Sequence, residues 1–302
     1  MKFTNLLKVV AVLAMALNLQ AKTIKDGVLT VATEGTYAPF TFYNDKNELV
    51  GYDVDIARAV AQKLNLKVEF LTAPWDAMLA AFDAGKADVV FNQVSITDER
   101  KKKYAFSVPY TVTFGTIITR KDNNDIKSFA DLKGKKDADS ATSNWAKVAV
   151  KYGAEHVVTD SFAKSMELLI SRRVDAVVRD NIVFYDFIKE RPNAPVKIAA
   201  SLDEKDYTAA AVKKDNAELA EQISNALTEL SKEDGIGIQK LTFNKDSNGM
   251  FFLEDYDIDG KYIELDKLAS NDGLLTEDWC RWFKKYDLSK PMAVIHFTSF
   301  RY

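Results

Sequence analysis

Residues 89–110 read Val-Val-Phe-Asn-Gln-Val-Ser-Ile-Thr-Asp-Glu-Arg-Lys-Lys-Lys-Tyr-Ala-Phe-Ser-Val-Pro-Tyr. The apolar opening, Val89-Val90-Phe91, reads as a buried strand. It runs into a polar turn carrying one arginine, Arg100, then three lysines and an aromatic-proline exit. Arginine keeps its charge at physiological pH and presents a rigid fork of donors that matches a carboxylate. Placed where a strand ends and a short helix begins, Arg100 has the position of a clamp for an anionic group of a small ligand. The competing reading is a solvated basic turn, the usual fate of a charge run.

Working outward, short β-rich runs alternate with helical patterns. Val28 to Ala32 reads as a buried strand. Asp53 and Asp55 follow in the first turn of a helix, where carboxylates suit the positive end of the dipole. Ile56, Val60 and Leu64 form its apolar stripe. Lys67 to Leu71 reads as the next strand. A second helix has Met78, Leu79 and Phe82 inward and Gly85 as its stop. Ala87 to Phe91 is the third strand. Strand, helix, strand, helix, strand implies a parallel sheet with crossover helices.

Beyond it, Thr113 to Arg120 is a long β run that leads into the polar stretch 121–125, a crossing into another domain. A second α/β unit fills residues 126–204. It has strands at Glu155–Thr159 and Asp175–Val178, and Phe162, Met166 and Leu169 share one helical face. Tyr207 to Val212 returns as a β run. The helix after it carries Leu219, Ile223, Leu227 and Leu230 on one stripe. One α/β domain is thus inserted into another through two strand-like crossings, which makes the cleft between two lobes the natural ligand site.

The chain has 302 residues, enough for two cores. Its 41 basic and 44 acidic side chains balance closely and argue against broad nucleic-acid binding. Lys2 and Lys8, the apolar run Val9 to Leu17 and the ending Leu19-Gln20-Ala21 have the anatomy of a cleavable secretory signal. That run is too short to cross ~30 Å of hydrocarbon. Cys280 is the only cysteine, so no intrachain disulfide forms.

Four segments carry a resemblance: Ala32-Thr33-Glu34-Gly35-Thr36-Tyr37-Ala38-Pro39-Phe40, Gly51-Tyr52-Asp53-Val54-Asp55, Ser95-Ile96-Thr97-Asp98-Glu99-Arg100 and Asp175-Ala176-Val177-Val178-Arg179-Asp180. In this order and spacing, residues 22 to about 245 resemble periplasmic amino-acid-binding proteins of ABC importers (solute-binding protein family 3). Asn92-Gln93-Val94 and Thr142-Ser143-Asn144-Trp145-Ala146-Lys147 are most similar to the cystine- and cysteine-binding branch. The resemblance implies a type II two-lobed α/β fold. Residues 1–21 are then the signal peptide, 22–115 and 206–246 the first lobe, 116–205 the second, and 247–302 an atypical C-terminal α/β extension. It implies a periplasmic monomer that closes on a polar amino acid and delivers it to a membrane ABC permease. No cofactor, metal or nucleic acid is expected.

The same resemblance assigns roles. Arg100 takes the ligand α-carboxylate, and Asp180 pairs with the α-ammonium. Ser95 and the backbone around Asn92 to Val94 add hydrogen bonds. Thr142 and Ser143 offer backbone N–H groups to the carboxylate from the opposite lobe, or serve as an ordinary N-cap. Glu34 falls in the first motif and belongs to the ligand set. Tyr37 and Trp75 form the wall for the ligand side chain. Phe40, Phe42 and Tyr52 are core.

One stretch departs from the family pattern. In Gly134-Lys135-Lys136-Asp137-Ala138-Asp139-Ser140, relatives carry an apolar strand ending in Gln or Lys where Asp139 stands. Alternation puts Asp137 and Asp139 on one face. Two unpaired carboxylates are costly to bury, so this strand is expected to be frayed or partly exposed. An Asp139 facing the cleft would oppose the docking carboxylate and either weaken binding of neutral amino acids or shift preference toward cationic ones.

An amino-acid-type dehydratase on the same scaffold is the enzymatic alternative. Only His156 and His296 exist, far apart in sequence, and neither a Gly-x-Ser-x-Gly elbow, a Walker loop nor a zinc motif occurs. The final segment reads as helices over 262–269 and 276–286 and a strand over 292–302. It resembles the end of an ASCH-type domain, related to RNA-binding folds, and gives a third possibility, a nucleic-acid-associated tail.

Overall fold

A computed structural model describes residues 22–231 in full, together with the backbone of three short strands beyond them. The signal segment, Cys280, His296 and the predicted elements at 276–286 and 292–302 lie outside the described residues.

The chain starts with β1 (Val28–Thr33), a small meander β2 (Thr36–Tyr37), β3 (Thr41–Tyr43) and β4 (Leu49–Val50), and then α1 (Tyr52–Lys63). Gly51 caps α1 with φ 120°, and a Cβ there would lie 2.4 Å from the Phe40 carbonyl oxygen, so no other residue fits. β5 (Lys67–Thr72), α2 (Trp75–Asp83), β6 (Val89–Ser95), α3 (Asp98–Lys103) and β7 (Tyr104–Phe106) follow. β8 (Thr111–Arg120) carries the chain into the second lobe. There lie β9 (Lys136–Asp139), α4 (Asn144–Lys151), β10 (Glu155–Val158), α5 (Phe162–Ile170), β11 (Val177–Asp180) and α6 (Asn181–Glu190). The 18-residue β12 (Val196–Lys213) returns, and α7 (Ala217–Leu230) closes the fully described chain.

The main sheet runs β11-β8-β12-β6-β1-β5, with β7 added against β12. β1 pairs parallel to β5 and β6, as the alternation of strands and helices predicts. β8 and β12 pair antiparallel along most of their lengths, from Val196↔Arg120 to Thr208↔Thr111, and so link the lobes as one two-stranded ribbon. The expected run 207–212 is only the last third of β12. Its earlier half, 196–206, mixes charged and apolar residues and lacks the alternation that would mark it.

Each lobe has its own packing, with Val183 of the second lobe joining the first-lobe cluster. Leu29, Val31, Ile56, Val60, Leu219, Ile223, Leu227 and Leu230 share a core beside β1, and Met78 and Phe82 pack on the other face with Val90. Burying such side chains supplies about 1.5–3 kcal/mol each. In the second lobe, Ile117, Leu132, Trp145 and Val178 form one cluster, and Ile118, Met166, Leu169 and Val196 another. Phe40 and Tyr52 are buried as expected, while Phe42 is half-buried.

Two expectations are corrected. β9 is neither frayed nor exposed: it pairs with β10, and Asp137 and Asp139 are 0% and 3% exposed. Asp139 is ion-paired with Arg179, which removes the cost at that position, while Asp137 accepts the Val178 N–H with one oxygen and keeps the other buried without a hydrogen bond. Further along, Tyr262–Ile263 is a strand against Phe251–Tyr256, which also pairs with Thr242–Lys245, rather than the start of a helix.

Candidate functional site

The strand ends of both lobes meet across the cleft. β6 ends at Ser95, and Thr97 caps the short α3, its hydroxyl accepting from the Arg100 N–H at 3.2 Å. That turn leaves Arg100 half-buried, while Lys101, Lys102 and Lys103 remain exposed, so the basic-turn reading holds for the lysines alone. The Arg100 guanidinium lies 5.2 Å from the Trp75 ring centroid. Its Nη1 donates to the Ser95 carbonyl at 3.3 Å and to Asn144 Oδ1, across the cleft, at 3.4 Å. Its Nη2 is buried without a partner, and Arg100 makes no ion pair among the described residues. Burial lowers its pKa, with the nearby Asp206 charge opposing that shift.

Asp180 ends β11 opposite Gly115 of β8, and it also caps α6, accepting from the Val183 N–H at 3.1 Å. A Cβ on Gly115 would fall 2.4 Å from the Trp145 ring, so glycine is what lets α4 pack here. The other Asp180 oxygen accepts the Tyr37 hydroxyl from the first lobe. Burial pushes the Asp180 carboxyl up, against the lowering effects of that hydrogen bond and of Arg179. Tyr37 itself is buried in the first-lobe core with its hydroxyl in the cleft.

Several predicted ligand contacts are already engaged. The Ser95 hydroxyl donates to Asp206 Oδ2 at 2.7 Å. Burial pushes Asp206 up to about 6, partly offset by that bond, and Asp206 was not foreseen as a cleft residue. Val94 is bound into the ladder opposite Ala209. Asn92 serves Glu34: its amide donates to Glu34 Oε2 at 2.6 Å, and its oxygen accepts the Glu34 N–H at 2.7 Å. Burial raises Glu34 to about 7, with the Arg179 charge the largest opposing effect.

The Thr142-Ser143 turn is likewise occupied. Asp76, in the first turn of α2, accepts the N–H groups of Ala141 and Thr142 at 3.0 Å each and the Thr142 hydroxyl at 2.5 Å. Trp75 Nε1 donates to the same Thr142 oxygen at 2.9 Å. The Ser143 N–H goes to the Ser140 carbonyl, and the Ser143 hydroxyl caps α4. The N-cap reading therefore describes Ser143, and the carboxylate held by this turn is Asp76 of the opposite lobe. Lys147 pairs with Glu99 at 2.5 Å beside it. Trp75 joins the α2 core and borders the cleft at once.

Asp139 requires the largest correction. It pairs with Arg179 at 2.5 Å, and also accepts the Ser140 N–H and the Ser143 hydroxyl, each at 2.7 Å. It is thus a neutralised member of an ion pair rather than a free charge against the ligand carboxylate. Arg179, absent from the expected ligand set, lies over the Tyr37 ring at 4.7 Å. Asp137 accepts the Val178 N–H at 2.8 Å with His156 beside it. Among the described residues no group of three or more His, Cys, Asp or Glu side chains is placed to hold a metal ion.

Comparisons with known proteins agree with this architecture. The profile of bacterial extracellular solute-binding proteins, family 3, matches residues 29–238. A probable amino-acid ABC transporter-binding protein of Haemophilus influenzae is 44% identical over 211 residues, 70% of this chain and 82% of that protein. The L-cystine-binding protein TcyA of Bacillus subtilis is 42% identical over 232 residues, 76% of this chain and 86% of that one. A solved ancestral arginine-binding protein bound to glutamine superposes with a TM-score of 0.65 at 41% identity, covering 69% of this chain and 94% of its own.

Proposed function

The chain belongs to the bacterial extracellular solute-binding proteins, family 3, and from that premise we propose that it captures cystine or cysteine between its lobes and delivers it to an ABC permease. One observation carries the reading: Arg100 is half-buried in the cleft, with its Nη2 buried and unpartnered and no carboxylate of its own. Burying a cation is costly unless a partner arrives, so the site is completed by an anionic ligand. Asp180, buried on the opposite lobe, supplies the complementary charge for an α-ammonium. The lobes comprise residues 22–115 with 206–246, and 116–205, and the protein acts as a periplasmic monomer after loss of residues 1–21. The likeness to TcyA supports the choice of ligand.

A dehydratase reading has one observation in its favour. A carboxyl poised near 7, as burial makes Glu34, suits a general acid. Thermal shifts of the full chain with L-cystine, L-cysteine, L-glutamine and L-arginine, followed by product analysis, separate the two. Stabilisation by about 2.7 kcal/mol at a hundredfold excess over Kd, with the ligand recovered unchanged, supports the receptor. Turnover would favour the enzyme, and no shift with any amino acid would defeat the binding reading.

A further inference from the structure

The cleft holds two arginines, Arg179 buried and Arg100 half-buried, and they are wired differently. Arg179 is 6% exposed, directly precedes Asp180, and stacks on Tyr37 from the other lobe. Its Nη1 is bound to Asp139, while its Nε is buried without a partner among the described residues. Asp139 cannot turn away, because the Ser143 hydroxyl and the Ser140 N–H hold both its oxygens. Glu34 lies close enough for the Arg179 charge to act on it, and Asn92 fixes that carboxyl. Arg100, by contrast, donates to the Ser95 carbonyl, and the Ser95 hydroxyl donates to Asp206. Arg100 and Asp206 are thus joined through Ser95 and Arg179 is joined to Asp139, while the neighbouring Asp180 accepts the Tyr37 hydroxyl.

Resting on the amino-acid-binding reading, we propose that the Asp139–Arg179 pair is the charge filter of the side-chain end of the cleft: Asp139 masks Arg179, so that amino acids with uncharged or zwitterionic side chains enter and acidic ones are refused. With Arg100 engaged by the α-carboxylate and Asp180 by the α-ammonium, a side-chain carboxylate would meet Asp139 and a cation that Asp139 already neutralises. In a water-poor site, like charges repel strongly over several ångströms. Discrimination of this kind arises as much from repulsion of the wrong ligand as from attraction of the right one.

Asp139→Asn keeps the shape and, with its oxygen toward Arg179 and the Ser140 N–H and its NH2 toward the Ser143 hydroxyl oxygen, removes the negative charge. Calorimetry of the full chain with L-glutamine, L-glutamate and L-cystine tests the filter. The unaltered protein should bind glutamate at least about tenfold more weakly than glutamine, a difference of about 1.4 kcal/mol. Asp139→Asn should close or reverse that ratio, and the double variant Asp139→Asn with Arg179→Gln should restore it. Equal binding of glutamate and glutamine by the unaltered chain overturns the filter whatever the variants do, as does an unchanged ratio in a folded Asp139→Asn. Binding of no amino acid at all would instead defeat the receptor reading on which the filter rests.

Discussion

Arg100 and Arg179 both lie at the interlobe cleft, the first half-buried and the second buried, one rising from each lobe, yet they hold opposite positions energetically. Arg179 has its counter-ion built in, at 2.5 Å on Asp139, and an aromatic face beneath it. Arg100 has a carbonyl, an amide oxygen and a tryptophan ring, with one terminal nitrogen left over. Each keeps one buried nitrogen without a partner, but Arg179 has its counter-ion in place and Arg100 has none. A buried charge that evolution leaves uncompensated is a stability cost in the free protein, and that cost becomes affinity when a ligand supplies the missing partner.

The sharpest way to break this contrast is to remove each arginine in turn. Arg179→Met leaves Asp139 buried without a counter-ion, and denaturant unfolding should show a loss of about 3–5 kcal/mol. Arg100→Met should do the reverse: equal or higher stability without ligand, and amino-acid affinity reduced at least about 100-fold by calorimetry. If the two variants behaved alike, the distinction between them would be lost. Glu34 sharpens the Arg179 side. Its pKa is raised in the folded state to about 7, so the folded protein binds the proton more tightly than the unfolded chain. Stability therefore falls as pH rises from the unfolded value through about 7, and the full penalty applies above it. Glu34→Gln should flatten that slope and gain about 1–3 kcal/mol at pH 8 relative to pH 4.5. The smallest effect concerns the bridge between the lobes. Asp76→Asn loses a charged acceptor for two N–H groups, worth about 1–2 kcal/mol of lobe closure. Solution scattering of the unliganded protein should show a larger radius of gyration, and an unchanged profile would count against the bridge.

Much of the first lobe could be read from the chain, because local patterns there agree with the final contacts. The stripe of Ile56, Val60 and Leu64 and the stop at Gly85 depend on near neighbours. In the second lobe the contacts that matter are distant. Asp139 meets Arg179 across 40 residues, and Asp76 meets Ala141 and Thr142 across 65 and 66. Nothing local marks Asp76 as a partner of that turn. Arg179 did have a signal: an arginine and an aspartate, each unexplained in a buried strand, are each other's natural counter-charge. Treating Asp139 alone led to a frayed strand and a hostile cleft, and pairing it removes both.

The central claim is that Arg100 waits for a ligand carboxylate. Calorimetric titration with L-glutamine and L-glutamine methyl ester, on the unaltered chain and on Arg100→Met, isolates that contact. The unaltered protein should bind the acid at least about tenfold more tightly than the ester, and the variant should bind both weakly and equally. Retention of the acid-over-ester preference in Arg100→Met would contradict the account.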